Sequence, residues 1–250
     1  MKPKEMDIFN RTRRLLGDDA MQAIASKRII IFGIGGVGSW CAESLVRSGI
    51  THLTIVDRDR IDATNVNRQC PATTKTIGES KVSVMKSRLL DINPQAEVEA
   101  IEEVYNSDTR DRFHLADYDY IIDAIDSLSC KADLILTATS LPSHVRFFSS
   151  MGAALKMDAS QIRSDEFWNA KGCPLARALR QHFKRHKTFP RRKFRVVYSP
   201  ELLPNRGPLP EDAAPFNGTL AHTTAIFGFT LAGLVIQDIV NDATRPVEST

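Results

Sequence analysis

The sequence predicts an α/β fold with a Rossmann-like, doubly wound and mainly parallel sheet, an N-terminal helix and a C-terminal extension. Short apolar runs alternate with stretches of helical periodicity, as they do in βαβ units. A glycine-rich turn joins the first apolar run to the following helix, and an aspartate ends the second run. The 250 residues, 42% of them hydrophobic, are enough for one large domain.

The predicted elements follow in order along the chain. Phe9–Ala25 is helical in pattern and leads into a first strand, Arg28–Phe32, whose continuous apolar run is typical of burial on both faces. After the glycine turn, a helix runs to about Arg47. The remaining strands are expected at His52–Val56, Glu97–Ile101, Tyr118–Ala124, Val145–Ser149 and Phe194–Tyr198, and the remaining helices near Ser80–Asp91, Ser129–Thr139 and Leu220–Val240. Leu202–Pro215 is rich in proline and is expected to be a loop.

We expect a single domain over residues 1–250. Its parts are an N-terminal helical segment (1–27), a nucleotide-binding core (28–152) and a substrate-binding and C-terminal part (153–250). In the last helix the uncharged run Ala225–Ile236 has 12 residues, too few to cross a bilayer core of about 30 Å. A core or interface helix, without stable membrane insertion, is therefore the expectation.

The termini and cysteines indicate a cytoplasmic protein. The first ten residues carry four charged side chains, unlike a signal peptide: Lys2, Lys4, Glu5 and Asp7. The four cysteines are scattered, with no CxxC pair: Cys41, Cys70, Cys130 and Cys173. This spacing argues against a structural zinc site and against a disulfide framework, so no zinc is expected.

The net charge of +3 is unevenly distributed. Arg177–Arg195 contains nine Lys or Arg residues and no acid, whereas the rest of the chain has 24 basic and 30 acidic residues. Phe183 and Phe189 are interleaved with these cations. The segment is either a solvated helix face with its linker or a surface that binds nucleic-acid phosphates, and we favour the second. The candidate contacts are Arg177, Arg180, Lys184, Arg185, Arg191, Arg192 and Lys193.

The glycine turn predicts a nucleotide site. Its glycines, Gly33, Gly35, Gly36 and Gly38, follow a strand and open a helix, where backbone N–H groups are free to bind phosphate. Asp57 lies 19 residues after Gly38, where an acid usually binds ribose hydroxyls. A purely structural turn is the less favoured alternative. The turn does not by itself distinguish NAD from ATP.

The residues after the second strand carry a family resemblance. They are Asp59, the segment Thr64–Gln69 with Asn65 and Arg68, Lys81 in Gly78–Lys81, and Asp126-Ser127 after a later strand. The ordered set resembles the ThiF/MoeB family of adenylating enzymes, which share their fold with ubiquitin-activating enzymes. The family pattern is GxGGxG, DxD after strand two, NxxRQ, GxxK and an aspartate at a strand end.

The resemblance implies ATP and Mg²⁺ as cofactors and gives each residue an expected role. Arg68 and Lys81 would stabilise charge on the α-phosphate, and Asp126 would hold Mg²⁺. The other nucleotide contacts implied are the four glycines, Asp57 to ribose, Asn65 to the triphosphate, Asp59 and Ser127. Taken singly, Lys81 is equally a solvated helix residue and Asp126 a helix cap; only the ordered set favours the functional interpretation.

The segment Phe9–Gly17 is similar to the family's entry segment, from which an arginine reaches the phosphates of the partner subunit. Arg11 occupies that position, and Arg13 or Arg14 is a possible substitute. The resemblance therefore implies a homodimer with Arg11 as a catalytic residue. The alternative is a charge cluster that is simply solvated.

Within the family, four stretches resemble the branch that dehydrates threonylcarbamoyladenosine beside the tRNA anticodon: Ser149–Ala153, Lys156–Ala159, Cys173–Ala176 and Val196–Ser199. The missing CxxC motifs and the lack of a catalytic-cysteine domain agree with it, whereas Cys70 and Pro71 depart from the family pattern. This implies ATP-dependent cyclisation with tRNA as partner, and no protein nucleophile, so Cys173 is expected to be a small structural cysteine.

Three alternatives remain open. The chain would instead adenylate the C-terminal glycine of a sulfur-carrier protein, which leaves the basic segment unexplained. The second alternative is a non-catalytic nucleotide-binding scaffold, which the presence of Arg68, Lys81 and Asp126 disfavours. The third alternative is an NAD-dependent dehydrogenase, because enzymes of that class have the same glycine turn.

Overall fold

The computed structural model describes residues 7–209 and 216–244. Within these ranges the chain forms a seven-stranded sheet flanked by α-helices. The helices are α1 (Asn10–Leu16), α2 (Asp18–Ser26), α3 (Gly38–Arg47), α4 (Lys81–Ile92), α5 (Leu128–Ser140), α6 (Pro174–His186) and α7 (Ala221–Ala243). The strands are β1 (Arg28–Phe32), β2 (His52–Val56), β3 (Glu97–Ile101), β4 (Tyr120–Asp123), β5 (Arg146–Ser150), β6 (Arg163–Glu166) and β7 (Arg195–Tyr198).

The sheet has the strand order β3-β2-β1-β4-β5-β7-β6. Every pairing is parallel except that of β6 with β7. The order reverses between β1 and β4, because the chain first builds outward through β2 and β3 and then returns to the other side of β1. The predicted doubly wound, mainly parallel fold is confirmed.

Side chains that alternate along the strands fill two separate cores. On β1, Ile29 and Ile31 point into the core under α2, α3, α4 and α7, while Ile30 and Phe32 point into the core under α5 and α6. Both cores are fully buried at these positions. The continuous apolar run of β1 is explained by this burial on both faces.

Helix α7 packs directly on α3. A Cβ added to Gly228 would lie 2.5 Å from the carbonyl oxygen of Val37 and 2.8 Å from the amide nitrogen of Cys41, so the two backbones touch here. Among the described helices, α7 is the one long and apolar enough to cross a membrane, with mean hydropathy 1.6. Half of its most apolar stretch is buried in the fold, as in a core helix. The helix is longer than the uncharged run alone indicated.

Most predicted elements agree with the structure to within two residues, but the N-terminal helix is divided, α7 ends three residues after Val240, and two elements were not predicted. The N-terminal helix is broken at Gly17, whose φ of +83° ends α1 and separates it from α2. β6 was not predicted, because its four residues are polar and lack strand periodicity. α6 was not predicted either, although its buried residues Ala176, Leu179 and Phe183 recur at helical spacing. Residues 202–209 form no regular element, and the rest of the predicted loop lies outside the described residues.

Candidate functional site

The candidate nucleotide site lies where the sheet order reverses. The glycine turn follows β1, and the loop that carries Asp126 and Ser127 follows β4, the neighbouring strand. In open α/β sheets this crevice at the carboxyl ends of the strands is where ligands bind. The topology therefore brings the two motifs together, although 88 residues separate Gly38 from Asp126.

The four glycines of the turn differ in what surrounds them. Gly33 has φ +89°, and a Cβ there would lie 2.7 Å from the carbonyl oxygen of Ala124. A Cβ on Gly38 would collide with the carbonyl oxygen of Gly33 at 1.8 Å, and one on Gly36 would press against Thr224 of α7 at 3.1 Å. Gly33 and Gly38 are therefore required by the fold itself, whereas Gly36 is closely packed against a side chain.

Gly35 is different, because its Cβ position is open. The nearest atom is Nε2 of Gln69, 3.9 Å away. Gln69 is buried, and its Oε1 has no hydrogen-bond partner among the described residues. An open backbone position beside an amide N–H donor is suited to phosphate, whereas the unpartnered Oε1 is an acceptor and requires a donor such as a hydroxyl group.

Asp57 joins the end of β2 to the glycine turn. Its Oδ2 accepts the backbone N–H of Ile34 at 2.7 Å, and its Oδ1 accepts that of Asp59 at 2.9 Å. Burial raises the pKa of Asp57, while the Lys81 charge and these two N–H groups oppose the change. The carboxylate is thus fixed beside the turn, as a ribose contact requires.

Lys81 is held by Asp59. Its Nζ donates to Oδ2 of Asp59 at 2.9 Å, and its side chain is only 6% exposed, while that of Asp59 is 56% exposed. The lysine begins α4 and is not a solvated helix residue, contrary to the alternative interpretation. Because the charge of Lys81 also acts on Asp57, the side chains of Asp57, Asp59 and Lys81 form one cluster.

Arg68, the arginine of the NxxRQ segment, is tied to that segment by hydrogen bonds. Its Nη1 donates to the carbonyl oxygen of Thr64 at 2.8 Å and to Oδ1 of Asn67 at 2.9 Å, and its own carbonyl accepts the indole N–H of Trp40 at 3.0 Å. Burial lowers the pKa of Arg68, and the nearby Asp126 carboxylate opposes that effect. The charges of Arg68 and Asp126 are therefore close enough to interact.

Asn65, Asp126 and Ser127 differ in the hydrogen bonds that they already make within the protein. The Oδ1 of Asn65 accepts the N–H of Asp62 at 3.1 Å in a capping box, so only its amide nitrogen is available to a ligand. Asp126 is exposed and makes no hydrogen bond with any described residue. Ser127, not Asp126, is the N-cap residue of α5, which removes the helix-cap explanation for Asp126.

A buried ion pair that was not predicted from the sequence lies under the loop after β4. Lys131 and Asp123 are both fully buried, and Nζ of Lys131 lies 2.7 Å from Oδ2 of Asp123. Ser149 also donates to that oxygen at 2.6 Å. The same two residues bind both backbone groups of Ile125: its N–H donates to Asp123 at 3.0 Å, and its carbonyl accepts from Lys131 at 2.8 Å. This fixes the peptide that precedes Asp126. An i, i+8 pair of charges in an apolar segment was the available signal.

The C-terminal part closes over the carboxyl edge of the sheet. Lys156, almost fully buried, donates through Nζ to the carbonyl oxygen of Glu201. The carboxylate of Glu201 accepts the N–H groups of Met157 and Asp158 at 2.8 and 2.9 Å. Cys173 is 1% exposed at the start of α6, which agrees with a structural cysteine.

The basic segment is divided between surface and interior. Arg192 donates to the carbonyl oxygens of Ala138, Pro142 and Val145 at the end of α5, and Arg180 donates to those of Phe167 and Ala170. Phe183 is fully buried. The remaining candidate contacts are exposed and make no side-chain hydrogen bond within the described residues: Arg177, Lys184, Arg185, Arg191 and Lys193.

Helix α1 presents its arginines to solvent. Arg13 is paired with Asp7 at 3.1 Å and Asp18 at 2.7 Å. Arg11 and Arg14 are exposed and unpaired within the described residues. Leu15, on the same helix, is 81% exposed, so an apolar group lies beside the free cations.

The chain is similar to proteins that have been characterised. The ThiF family matches residues 9–249. A tRNA threonylcarbamoyladenosine dehydratase from Bacillus subtilis is 31% identical over 245 residues, covering 94% of this chain and 95% of the relative. Two crystal structures of the Escherichia coli tRNA N6-threonylcarbamoyladenosine dehydratase TcdA are similar. The complex with AMP has 33% identity, TM-score 0.84 and coverage of 95% and 96%; the complex with ATP has 32%, 0.83, and 95% of both chains.

Proposed function

The chain belongs to the ThiF family, and from this premise we propose that it is an ATP-dependent enzyme that dehydrates threonylcarbamoyladenosine in tRNA. The observation that carries the proposal is that the open glycine position at Gly35 and the loop with Asp126, whose charge acts on Arg68, both follow strands that meet at the switch point. Similarity over nearly the full length to dehydratases supports the choice of substrate.

The proposed first step is adenylation of the free carboxylate of the threonylcarbamoyl group. A carboxylate oxygen forms a bond to the α-phosphorus of ATP, and the bond to pyrophosphate breaks. Arg68 and Lys81 stabilise the added negative charge, because both are cations held in fixed positions by Thr64 and Asp59. Asp57 holds the ribose, and the backbone at Gly35 with the amides of Gln69 and Asn65 binds phosphate oxygens.

The donor set fits Mg²⁺ held through a single protein carboxylate. Within residues 7–209 and 216–244 there is no group of three or more His, Cys, Asp or Glu side chains able to hold a metal. Asp126 is exposed and makes no hydrogen bond with a described residue, which would suit an ion whose other ligands are phosphate oxygens and water. When bound, Mg²⁺ neutralises phosphate charge. Lys131 and Asp123 keep Asp126 in place through Ile125.

The second step closes a ring without a protein nucleophile. An atom of the same threonylcarbamoyl side chain attacks the acyl carbon, AMP leaves, and one proton is released, so the net change is loss of water. The burial of Cys173 supports this scheme, since its thiol is not accessible to an adenylate. Residues 153–250 supply the substrate-binding part.

The tRNA is bound through the exposed cations of the basic segment. Those on α6 begin with Arg177 near the carboxyl edge of the sheet and continue to Arg185 at the other end of the helix. Contacts of this type give salt-dependent affinity that is independent of sequence.

We further propose a homodimer in which Arg11 contacts phosphates bound to the partner subunit. The exposed, unpaired guanidinium and the neighbouring Leu15 support an interface at α1.

The test is mass spectrometry of tRNA nucleosides after incubation with enzyme, ATP and Mg²⁺. We expect threonylcarbamoyladenosine to lose one water, together with AMP release, and Asp126→Ala protein to leave the nucleoside unchanged. Unmodified tRNA alongside adenylation of the C-terminal glycine of a sulfur carrier would refute the proposal. The basic segment is the observation that disfavours this second candidate function.

A further inference from the structure

Two aromatic side chains form an exposed pair beside the basic segment. Trp168 lies on a short 3₁₀-helix, Phe167–Asn169, between β6 and α6, and Phe189 follows the end of α6. Their ring centroids are 6.4 Å apart with an interplanar angle of 40°, and they are 37% and 51% exposed. We call Trp168 and Phe189 the aromatic pair.

The aromatic pair rests on a rigid base. Phe167 is fully buried, contacts the Trp168 ring edge-on at 5.1 Å and stacks on Phe194 at 5.0 Å. Arg180 holds the two ends of the turn through the carbonyl oxygens of Phe167 and Ala170, at 3.2 and 2.9 Å. The Trp168 ring is therefore presented by anchored backbone, which reduces the entropy lost when a ligand stacks on it.

The surroundings of the aromatic pair are cationic. Residues 167–195 contain no Asp or Glu. Lys184, Arg185 and Lys187 lie at the end of α6, and Arg191 and Lys193 follow Phe189; all five are exposed. The two preceding acids make local hydrogen bonds, since Glu166 accepts the N–H of Trp168 through Oε2 and Asp165 accepts from Asn169, although Oε1 of Glu166 has no partner among the described residues. An aromatic face surrounded by cations is complementary to a nucleobase and its phosphates.

We propose that the aromatic pair stacks an unpaired nucleobase of the RNA substrate, a base other than the one that is modified. The inference rests on the proposed function and deepens it by assigning a second RNA subsite. Helix α6 begins at the carboxyl edge of the sheet, where Leu175 lies against Gly152, and ends beside Phe189. Its 13 residues span about 20 Å, so the two subsites are separated by roughly the length of this helix.

The experiment compares two double variants of the full chain. Trp168→Leu with Phe189→Leu keeps apolar bulk and removes both π faces, whereas Trp168→Phe with Phe189→Tyr keeps two aromatic faces. Binding of a fluorescently labelled anticodon stem-loop RNA is measured by anisotropy over a range of salt concentrations. A blunt RNA duplex, which has no unpaired base, is the second ligand.

We expect the leucine variant to bind the stem-loop at least about fivefold more weakly, since stacking contributes roughly 1–3 kcal/mol per base. Its salt slope should equal that of the wild type because no charge is removed. The aromatic variant should bind like the wild type, and all three proteins should bind the duplex equally.

Equal stem-loop binding by the leucine variant, in an enzyme that still dehydrates tRNA, would overturn this inference and leave the proposed function intact. A leucine variant with altered oligomeric state in sedimentation would also overturn it, because the pair would then be a contact between copies of the chain. A wild-type protein that neither binds nor dehydrates the RNA would overturn the proposed function as well.

Discussion

Lys131 and Asp123 form a fully buried ion pair, 2.7 Å from nitrogen to oxygen, directly beneath the loop that carries Asp126. Each has further partners, since Asp123 also accepts from Ser149 and Lys131 also donates to Ile125. Complete hydrogen bonding is what allows two charges to remain in an apolar interior.

Removing one partner of this pair should be costly. Lys131→Met leaves the carboxylate of Asp123 buried without its counter-charge, and we expect the free energy of unfolding to fall by about 3–5 kcal/mol in urea titrations. The matched control is Arg112→Met, which breaks an exposed pair with Glu103 and should cost no more than about 1 kcal/mol. Equal losses in the two variants would contradict this account of the buried pair.

Alanine substitutions at Gly35 and Gly33 should differ in their effect on stability. Gly35→Ala makes only an ordinary van der Waals contact with Gln69, so the protein should unfold at the wild-type urea concentration while its affinity for ATP, measured by calorimetry, falls at least about tenfold. Gly33→Ala must place a side chain at φ +89° and 2.7 Å from a carbonyl oxygen, so it should lose more than about 1 kcal/mol of stability. Unchanged ATP affinity in Gly35→Ala would exclude this position from the phosphate site.

The glycine comparison shows how far the sequence determines the site. Spacing predicted the turn and Asp57, because the carboxyl ends of adjacent parallel strands meet at one edge, whereas Lys81 and Asp126 were expected only from the family resemblance. Spacing did not separate Gly35 from its neighbours, since the constraint on Gly36 comes from Thr224, 188 residues away. The interior roles of Arg180 and Arg192 were equally hidden, because a cation bound to carbonyl oxygens reads in sequence like one at the surface.

Glu43 should make the free energy of unfolding depend on pH in the acidic range. Burial acts to raise the pKa of Glu43, but hydrogen bonds from Arg88, Cys70 and Arg47 outweigh it and lower the pKa from 4.5 to about 2. A carboxyl with a lowered folded-state pKa stabilises the fold above its unfolded pKa, so this contribution should be lost as pH falls from about 4.5 towards 2. Urea midpoints between these pH values should fall less steeply for Glu43→Gln than for wild type. Asp91→Asn, at an exposed position, is the control and should keep the wild-type slope.

Arg11 should act across a dimer interface. Arg11→Ala and Asp126→Ala proteins should each be inactive, and mixing them should restore part of the activity, since a heterodimer has one site with both residues intact. Arg13→Ala is the control and should retain activity, because Arg13 is already paired with Asp7 and Asp18. Monomeric behaviour in light scattering at the assay concentration would refute the interface.

The exposed cations of the basic segment should contribute electrostatically to tRNA binding. Replacing Lys184, Arg191 and Lys193 with alanine should raise the KM for tRNA, leave the KM for ATP nearly unchanged, and change kcat at saturating tRNA little. The slope of log affinity against log salt should flatten by about 0.7–0.9 for each phosphate contact removed.

Arg192→Ala separates charge from structure in the same segment. The guanidinium of Arg192 donates to three backbone carbonyls at the end of α5, so its loss should lower the melting temperature and leave the salt slope at the wild-type value. A triple variant with unaltered tRNA affinity and salt slope would instead make the segment a solvated surface. The sulfur-carrier alternative would then be favoured, because it does not require a polyanion-binding face.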